Sequence, residues 1–291
     1  MKEIAIIGST ASGKTGLSID IAKKTNSIIL SLDSLSVYKD IDIASAKPTI
    51  VERGDIIHFG IDEVYPNEEF DVLEFIKLYH KAKEFAQNND KNLIIVGGTS
   101  FYLKTLIEGM SMGINSKTKL DIPVDEAYDL LFSLDKKYMQ KIEKNDRYRV
   151  EKAYAIYKES KLTPTEYFKA NPKTPIAPDL KIFEILWDRD ELRKRINLRT
   201  KQMMKDGLID EVIYLESKYT REPNAMSSIG IIETLEYLDG KITKEQLEEK
   251  VSLNTAKLAK RQNTFNKGQF ENKCSNIIEN LNSDIIKYFS I

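Results

Sequence analysis

Residues 8–15 read Gly-Ser-Thr-Ala-Ser-Gly-Lys-Thr and decide the fold of this chain. They match G-x-x-x-x-G-K-[ST], a loop whose backbone N–H groups and lysine surround a chain of phosphates. The apolar run Ile4–Ile7 precedes the loop and predicts a buried strand, while Leu17, Ile21 and Ala22 follow at helical spacing. This order predicts a phosphate site at a helix N-terminus rather than a glycine-rich turn without a ligand.

The predicted phosphate site also sets the expected cofactor. Its residues are Gly8, Ser9, Thr10, Ala11, Ser12, Gly13, Lys14 and Thr15. The two histidines, His58 and His80, are far apart in sequence, so we expect no histidine metal site. The metal that this pattern favours is Mg²⁺, held by the Thr15 hydroxyl and by phosphate oxygens.

Composition bounds the function classes. The chain has 291 residues, 41% hydrophobic and 31% charged, which is typical of a soluble globular protein. Its 44 basic and 45 acidic residues give a net charge of -1, so a nucleic-acid site must be a local patch. The single cysteine, Cys274, excludes an internal disulfide and a cysteine metal cluster, as suits a reducing compartment.

The location is also predicted from sequence. No apolar run approaches the length of a membrane span, and the N-terminus leads directly into the first predicted strand without a signal peptide. We therefore expect a cytoplasmic protein that has no membrane partner. We also expect it to be a monomer.

Strand and helix patterns alternate over the first ~110 residues, which predicts a parallel sheet with crossover helices. Further strands are predicted at Ser27–Leu32, Asn92–Val96 and Phe183–Trp187. Between Gly113 and about Lys181 the chain is helical and strand-poor. We predict an α/β core of residues 1–112 and 182–291, interrupted by an all-helical insertion domain at residues 113–181.

Helix boundaries are marked in the second half of the chain. Thr163-Pro164-Thr165-Glu166 is typical of a capping box with proline at the first helical position. One long helix is predicted to end at Gly207, and another to begin near Thr243 and continue past Arg261.

Polar side chains follow the predicted strands, at the edge of a parallel sheet where ligands bind. Asp33 follows the second strand, where a carboxylate beside phosphates suits a base or a metal-side group; alternatively, it caps the next helix through the pair Asp33-Ser34. Gly97, Gly98 and Thr99 follow the third strand. The two glycines allow a ligand or another backbone to approach closely, or form a plain tight turn.

Two basic helical stretches are further candidates. Arg195 and Arg199 are four residues apart and share a helix face, which suits a clamp on phosphate oxygens. Lys260 and Arg261 belong to a basic stripe followed by Phe265, a pattern that suits RNA backbone and base stacking. For most residues of both stretches, a solvated charged face is the simpler interpretation.

Together these motifs resemble the tRNA dimethylallyltransferases, also called tRNA isopentenyltransferases. Seven patterns of that family have similar stretches in this chain, in the same order. They are G-P-T-A-S-G-K-T (residues 8–15), D-S-x-Q-V-Y (33–38), D-I-G-T-A-K-P (42–48), V-G-G-T-x-x-Y (96–102), N-D-x-x-R (145–149), R-I-x-x-R (195–199) and A-K-R-Q-x-T (259–264). The chain departs from them at Ser9, in place of proline, and at Ser36, in place of glutamine. Phe265-Asn266-Lys267 replaces Trp-Phe-Arg, and residues 228–232 lack the family's tyrosine and glutamine.

The resemblance implies a P-loop NTPase-like fold and a prenyl transfer from dimethylallyl diphosphate to the N6 amine of the tRNA adenosine 3′ of the anticodon. The implied catalytic residues are Asp33 as proton acceptor, Thr10 near the transferring group, and Arg195 beside the leaving diphosphate, with Lys14 and Mg²⁺ on Thr15. The target base must leave the stack to be reached. The insertion would then grip the anticodon stem-loop. The implied tRNA-binding residues are Asp33, Ser34, Leu35, Ser36, Thr99, Arg149, Lys260, Arg261 and Gln262.

Two other functions remain open at this point. The first is a nucleotide or metabolite kinase that uses ATP on the same loop, because the arginine-rich helix after the insertion is similar to a kinase lid. It leaves Asp33 and the linked motifs unexplained. The second is an RNA-binding regulatory NTPase that switches without making a covalent product.

Overall fold

The structure, a computed structural model, describes residues 1–111 and 120–290. Their central feature is a parallel sheet in the order β3-β2-β4-β1-β5-β6. The strands are β1 Glu3–Gly8, β2 Ser27–Leu32, β3 His58–Phe59, β4 Asn92–Gly97, β5 Lys181–Ile185 and β6 Lys273–Asn276. The predicted parallel α/β fold is therefore confirmed.

Helices connect and flank these strands. They are α1 Lys14–Lys24, α2 Ile50–Arg53, α3 Val72–Asn88, α4 Ser100–Glu108, α5 Val124–Leu134, α6 Lys136–Met139, α7 Arg147–Ser160, α8 Pro164–Ala170, α9 Arg189–Asp206, α10 Leu208–Tyr219, α11 Ile231–Leu238, α12 Lys244–Gln269 and α13 Ile278–Ser290. The predicted capping box at Thr163 is present at the start of α8, and Gly207 ends α9 in a left-handed conformation with φ 101°. A capping box on Thr243 starts α12, as expected.

The strand predicted at Phe183–Trp187 needs a correction, because β5 ends at Ile185. Trp187 leaves the sheet, and its indole N–H donates to the Ser12 carbonyl oxygen at 2.9 Å. Sequence reasoning also missed β3 and β6. β3 is two residues long and β6 is mostly polar, so neither carries a recognisable strand pattern.

The core lies on both faces of the sheet, because parallel strands are covered by helices on each side. β1 is apolar and buried over Ile4–Ile7, and β4 is buried over Leu93–Val96. Leu17, Ile21 and Ala22 of α1 pack against these strands. The helical spacing that predicted α1 therefore corresponds to its buried face.

The described chain divides into two compact units, Met1–Lys104 with Asp179–Ile291, and Thr105–Pro178. The second unit has its own core, which includes Ala127 and Leu131 of α5 and Val150 of α7. Its division from the first falls within α4 rather than at residue 113. Residues 112–119 of the predicted insertion lie outside the described residues. An RNA-binding role for this unit remains a prediction.

Candidate active site

The sheet order brings three polar loops together. β4 lies between β1 and β2, and Gly97 of β4 is level with Ile7 on one side and Leu32 on the other. The phosphate loop begins at Gly8, directly after Ile7. In the same way, Asp33 directly follows Leu32 and Gly98 directly follows Gly97, so all three positions lie one residue beyond the same level of the sheet. Residues that are far apart in sequence become neighbours at its carboxyl edge.

The phosphate loop is held by its own chain. Gly13 adopts φ 89°, a left-handed conformation that favours glycine, and no side chain caps the N-terminus of α1 after it. The uncapped N–H groups of that helix are suited to an anion. The Lys14 ammonium donates to the Ser9 carbonyl oxygen at 2.6 Å, so the lysine lies along the loop.

Burial lowers the pKa of Lys14 from 10.5 to about 7. The nearby Asp33 carboxylate opposes this shift, and the Arg199 guanidinium adds to it. Burial also lowers the pKa of Arg199, against the influence of Asp33. Two desolvated cations thus face one carboxylate, and a bound polyanion would stabilise the charged form of both.

Asp33 occupies the end of β2 with its two oxygens in different situations. Oδ1 accepts hydrogen bonds from the N–H groups of Leu35 at 2.9 Å and Ser36 at 3.3 Å. Residues 34–37 form a turn, so the alternative that Asp33 caps a helix is wrong, and the carboxylate holds a turn instead. Oδ2 has no hydrogen-bond partner among the described residues. One oxygen therefore fixes the side chain while the other is available to a ligand.

Thr10 and two arginines surround the loop. The Thr10 hydroxyl accepts a hydrogen bond from Arg199 at 3.3 Å. Arg195, one helical turn earlier, donates from Nε to the Ala11 carbonyl oxygen at 2.8 Å and stacks over the Trp187 ring at 4.5 Å. Arg195 is exposed and borders the outer side of the loop, whereas Arg199 lies deeper, beside Asp33.

Gly97 and Gly98 allow close approaches by this chain itself. A Cβ on Gly97 would lie 2.1 Å from the Leu32 carbonyl oxygen, so the backbones of β2 and β4 require glycine there. A Cβ on Gly98 would lie 2.4 Å from Nε2 of Gln262. Thr99 joins the loops by a hydrogen bond from the Ser34 N–H to its hydroxyl, at 3.1 Å.

Two cavities meet at these residues. The larger is about 610 Å³ and the smaller about 120 Å³. Both are lined by Thr10, Asp33, Gly98, Arg199, Leu258 and Gln262. The smaller cavity also contacts Lys14 and Thr15, and the larger contacts Ser34, Thr99 and the exposed ring of Phe101. Asp33 thus lies between a phosphate-binding pocket and a wider, partly aromatic one.

The other predicted residues have varied positions. Leu35 lines the larger cavity, while the buried Ser36 lines the smaller one. Arg261 borders the larger cavity and also an open surface that it shares with Lys260. Arg149 belongs to the second unit, at the start of α7, where it pairs with Asp146 at 3.2 Å.

Sequence reasoning missed one residue that lines the smaller cavity and one that holds the loop leading to it. Lys47 lines it with its side chain almost fully buried and paired with Asp42 and Asp62. Glu211 accepts hydrogen bonds from the N–H groups of residues 42, 43 and 44, at 2.7 to 2.9 Å. Burial raises the pKa of Glu211, although these bonds oppose the shift. The matched family pattern at residues 42–48 was the available signal for Lys47, whereas Glu211 had none.

The donor groups suit magnesium only in combination with a phosphate ligand. No group of three or more histidine, cysteine or acidic residues could hold a metal within the ranges 1–111 and 120–290. Thr15 is exposed and is among the residues that line the smaller cavity. Phosphate oxygens and water would have to supply the remaining ligands.

A family model described as IPP transferase matches residues 36–269. The chain belongs to the IPP transferase family. This IPP transferase is 76% identical over 291 residues to the tRNA dimethylallyltransferase of Aliarcobacter butzleri (strain RM4018), covering 100% of both chains. It is 46% identical over 287 residues to that of Campylobacter concisus (strain 13826), covering 99% of this chain and 98% of the relative.

Solved structures agree with the IPP transferase assignment. The full-length tRNA isopentenylpyrophosphate transferase of Bacillus halodurans is similar with a TM-score of 0.74 and 28% identity, covering 99% of this chain and 95% of that one. A eukaryotic dimethylallyltransferase acting on tRNA is similar with a TM-score of 0.81 and 29% identity, covering 91% and 70%. The family resemblance seen in the motifs is therefore confirmed. Among the described residues, no helix is both long and apolar enough to cross a membrane.

Proposed function

We propose that this protein transfers the dimethylallyl group of dimethylallyl diphosphate to the exocyclic N6 amine of the adenosine 3′ of the anticodon in tRNA, and releases diphosphate. The observation that carries the proposal is the position of Asp33, which borders both the phosphate-loop cavity and the wider cavity. Full-length identity of 76% to a tRNA dimethylallyltransferase supports the same reaction.

The diphosphate binds in the phosphate loop. The N–H groups at the start of α1, the Lys14 ammonium and the Arg199 guanidinium surround its oxygens, and Arg195 neutralises it from the outer side. When bound, Mg²⁺ on the Thr15 hydroxyl adds positive charge that favours departure of diphosphate. The allylic carbon then extends toward Asp33.

The reacting base enters from the larger cavity after leaving the tRNA stack. The adenine N6 lone pair forms a bond to the allylic carbon, while the bond from that carbon to the diphosphate oxygen breaks. Asp33 Oδ2 accepts the proton that N6 loses, because Oδ1 is already engaged by the following turn. The Thr10 hydroxyl, held by Arg199, lies at the boundary where the group is transferred.

The RNA contacts extend from the larger cavity. Ser34, Leu35 and Thr99 line the entry of the base, and Lys260 and Arg261 bind the backbone nearby. Ser36 lines the smaller cavity, and its backbone N–H donates to Asp33 Oδ1 within the same turn. Arg149 and the helical second unit bind the anticodon stem-loop. A tRNA substrate supports a cytoplasmic location.

Mass spectrometry of nucleosides tests the reaction. The protein is incubated with unmodified tRNA, Mg²⁺ and dimethylallyl diphosphate, and the tRNA is then digested. We expect N6-dimethylallyladenosine from the position 3′ of the anticodon, and none when that adenosine is replaced by guanosine. Transfer of the γ-phosphate of ATP to a small acceptor, without prenylated tRNA, would instead identify a kinase. Nucleotide hydrolysis with neither product would identify a regulatory NTPase.

A further inference from the structure

Gln262 on α12 makes two hydrogen bonds to different loops of the site. Its Oε1 accepts from the backbone N–H of Thr10 at 2.8 Å, and its Nε2 donates to the Gly98 carbonyl oxygen at 3.1 Å. Thr10 and Gly98 are 252 and 164 residues from Gln262 in sequence. A single amide side chain therefore ties the phosphate loop to the loop after β4.

The contact with Gly98 depends on glycine. A Cβ at residue 98 would lie 2.4 Å from Nε2 of Gln262, so the flexible Gln262 side chain would have to move away. The amide thus occupies the space that a side chain at this position would take. Gly98 and Gln262 form one complementary pair.

Both polar ends of the Gln262 side chain are used within the protein. Its oxygen and its nitrogen each have a protein partner, and it borders both cavities. The neighbouring Arg261 and Lys260 are exposed on the same helix. α12 therefore carries exposed cations beside the Gln262 amide, which contacts the phosphate loop.

We propose that Gln262 is a positioning residue of the diphosphate site, which fixes the Thr10 backbone, rather than a residue that reads RNA. This inference rests on the proposed function only for the identity of the donor. With the Thr10 N–H held, the Thr10 hydroxyl keeps its contact with Arg199, and the loop keeps its shape before the anion arrives. Preorganisation of this kind removes an ordering cost from diphosphate binding.

Calorimetry with inorganic pyrophosphate and Mg²⁺, without RNA, tests the proposal. We expect Gln262→Ala to weaken pyrophosphate binding by about tenfold, as the loss of a preorganising hydrogen bond to the loop implies. Asn263→Ala is the matched control, because Asn263 is the next residue of α12, also carries an amide and is exposed; its affinity should equal that of the wild type. Wild-type affinity in Gln262→Ala would overturn the proposal.

A double-mutant cycle with Gly98→Ala separates positioning from general damage. Gly98→Ala should weaken pyrophosphate binding by displacing the amide. Combined with Gln262→Ala, it should cause little further loss, since the space is then vacant. Additive losses would contradict the pairing. Pyrophosphate binding does not depend on prenyl transfer, so this result is independent of whether the proposed reaction is correct.

RNA binding gives the opposing readout. Filter binding of an anticodon stem-loop, without donor, should be unchanged within about twofold in Gln262→Ala, because on this proposal the amide contacts no RNA. Steady-state kinetics should show a raised KM for the donor and an unchanged KM for tRNA. Weaker RNA binding together with normal pyrophosphate binding would show that Gln262 reads RNA, as the family motif implied, and would overturn the proposal.

Discussion

Asp33 combines a structural role in the following turn with the chemical role that we propose for it. Asp33→Asn keeps an oxygen that accepts from the Leu35 and Ser36 N–H groups, so the turn should persist. The substitution removes the base and a negative charge beside Lys14. We expect single-turnover prenyl transfer to fall by about 10²- to 10⁴-fold, the usual contribution of a positioned general base. Pyrophosphate binding should be unchanged or tighter. Near-normal transfer by Asp33→Asn would exclude the general-base role.

We predict that Lys14 makes diphosphate binding depend on pH. With a pKa of about 7, the unliganded lysine is half neutral at pH 7 and mostly neutral at pH 8. A bound anion favours the ammonium form, so above pH 7 binding must take up a proton. Affinity for pyrophosphate should therefore decrease as pH rises, by up to about tenfold per pH unit for one proton.

The Lys14→Arg variant is the control for this pH dependence. Its guanidinium stays charged, so its pyrophosphate affinity should change less between pH 7 and pH 9. Ionisation of pyrophosphate itself affects both proteins equally and cancels in the comparison. Calorimetry in buffers of different ionisation enthalpy measures the proton uptake directly. Equal pH slopes in the two proteins would show that Lys14 is already charged before binding.

Residues at the ends of predicted strands could be predicted as site residues from the sequence, because the carboxyl ends of parallel strands lie at the edge of the sheet where ligands bind. Asp33 and Thr99 were found in this way. Arg199 was predicted with Arg195 as a clamp on phosphate oxygens, but its greater depth was not, since that depends on how α9 packs against the loop. The partners of Gln262 were not predictable, because α12 reaches them through the tertiary fold alone.

At the scale of elements, patterned segments were predicted best. β2 has the predicted bounds, and α9 and α12 have the predicted signals at Gly207 and Thr243. These elements carry apolar periodicity or local capping chemistry. β3 and β6 form only because β2 and β5 offer an edge to pair with. Their stability comes from the sheet rather than from their own sequence.

The loop of residues 42–46 is held in place by hydrogen bonds to α10. Glu211 of α10 accepts hydrogen bonds from three backbone N–H groups of this loop. Two further residues of the loop, Ser45 and Ala46, line the smaller cavity. Glu211→Gln replaces one acceptor with an amide donor that faces these N–H groups. We expect it to lower the free energy of unfolding by about 2 kcal/mol and to raise the KM for the donor.

Asp210→Asn is the matched control, because Asp210 precedes Glu211 on α10 and is exposed. It should change stability by only a few tenths of a kcal/mol, through the charge near the helix N-terminus. Urea unfolding followed by circular dichroism compares the two variants. A Glu211→Gln protein as stable as Asp210→Asn would mean that the three hydrogen bonds contribute little to holding the loop.

At the scale of the whole molecule, a net charge of -1 requires that RNA affinity come from where the cations lie. Each phosphate contact made by a lysine or arginine releases counterions, so the slope of log Kd against log salt counts such contacts. Lys260 and Arg261 are exposed on one open surface, and Arg261 also borders the larger cavity. Replacing both with alanine should weaken binding of the anticodon stem-loop and reduce this slope by about 1 per residue.

Lys23→Ala with Lys24→Ala is the control of equal charge change, since both lysines are exposed at the end of α1. Its slope should equal that of the wild type if RNA contacts the basic face of α12 rather than responding to net charge. Both slopes are measured by fluorescence anisotropy of a labelled stem-loop at salt concentrations from about 50 to about 300 mM, where phosphate contacts dominate the salt dependence. Equal reductions in the two double variants would contradict a local site and assign the affinity to the overall charge.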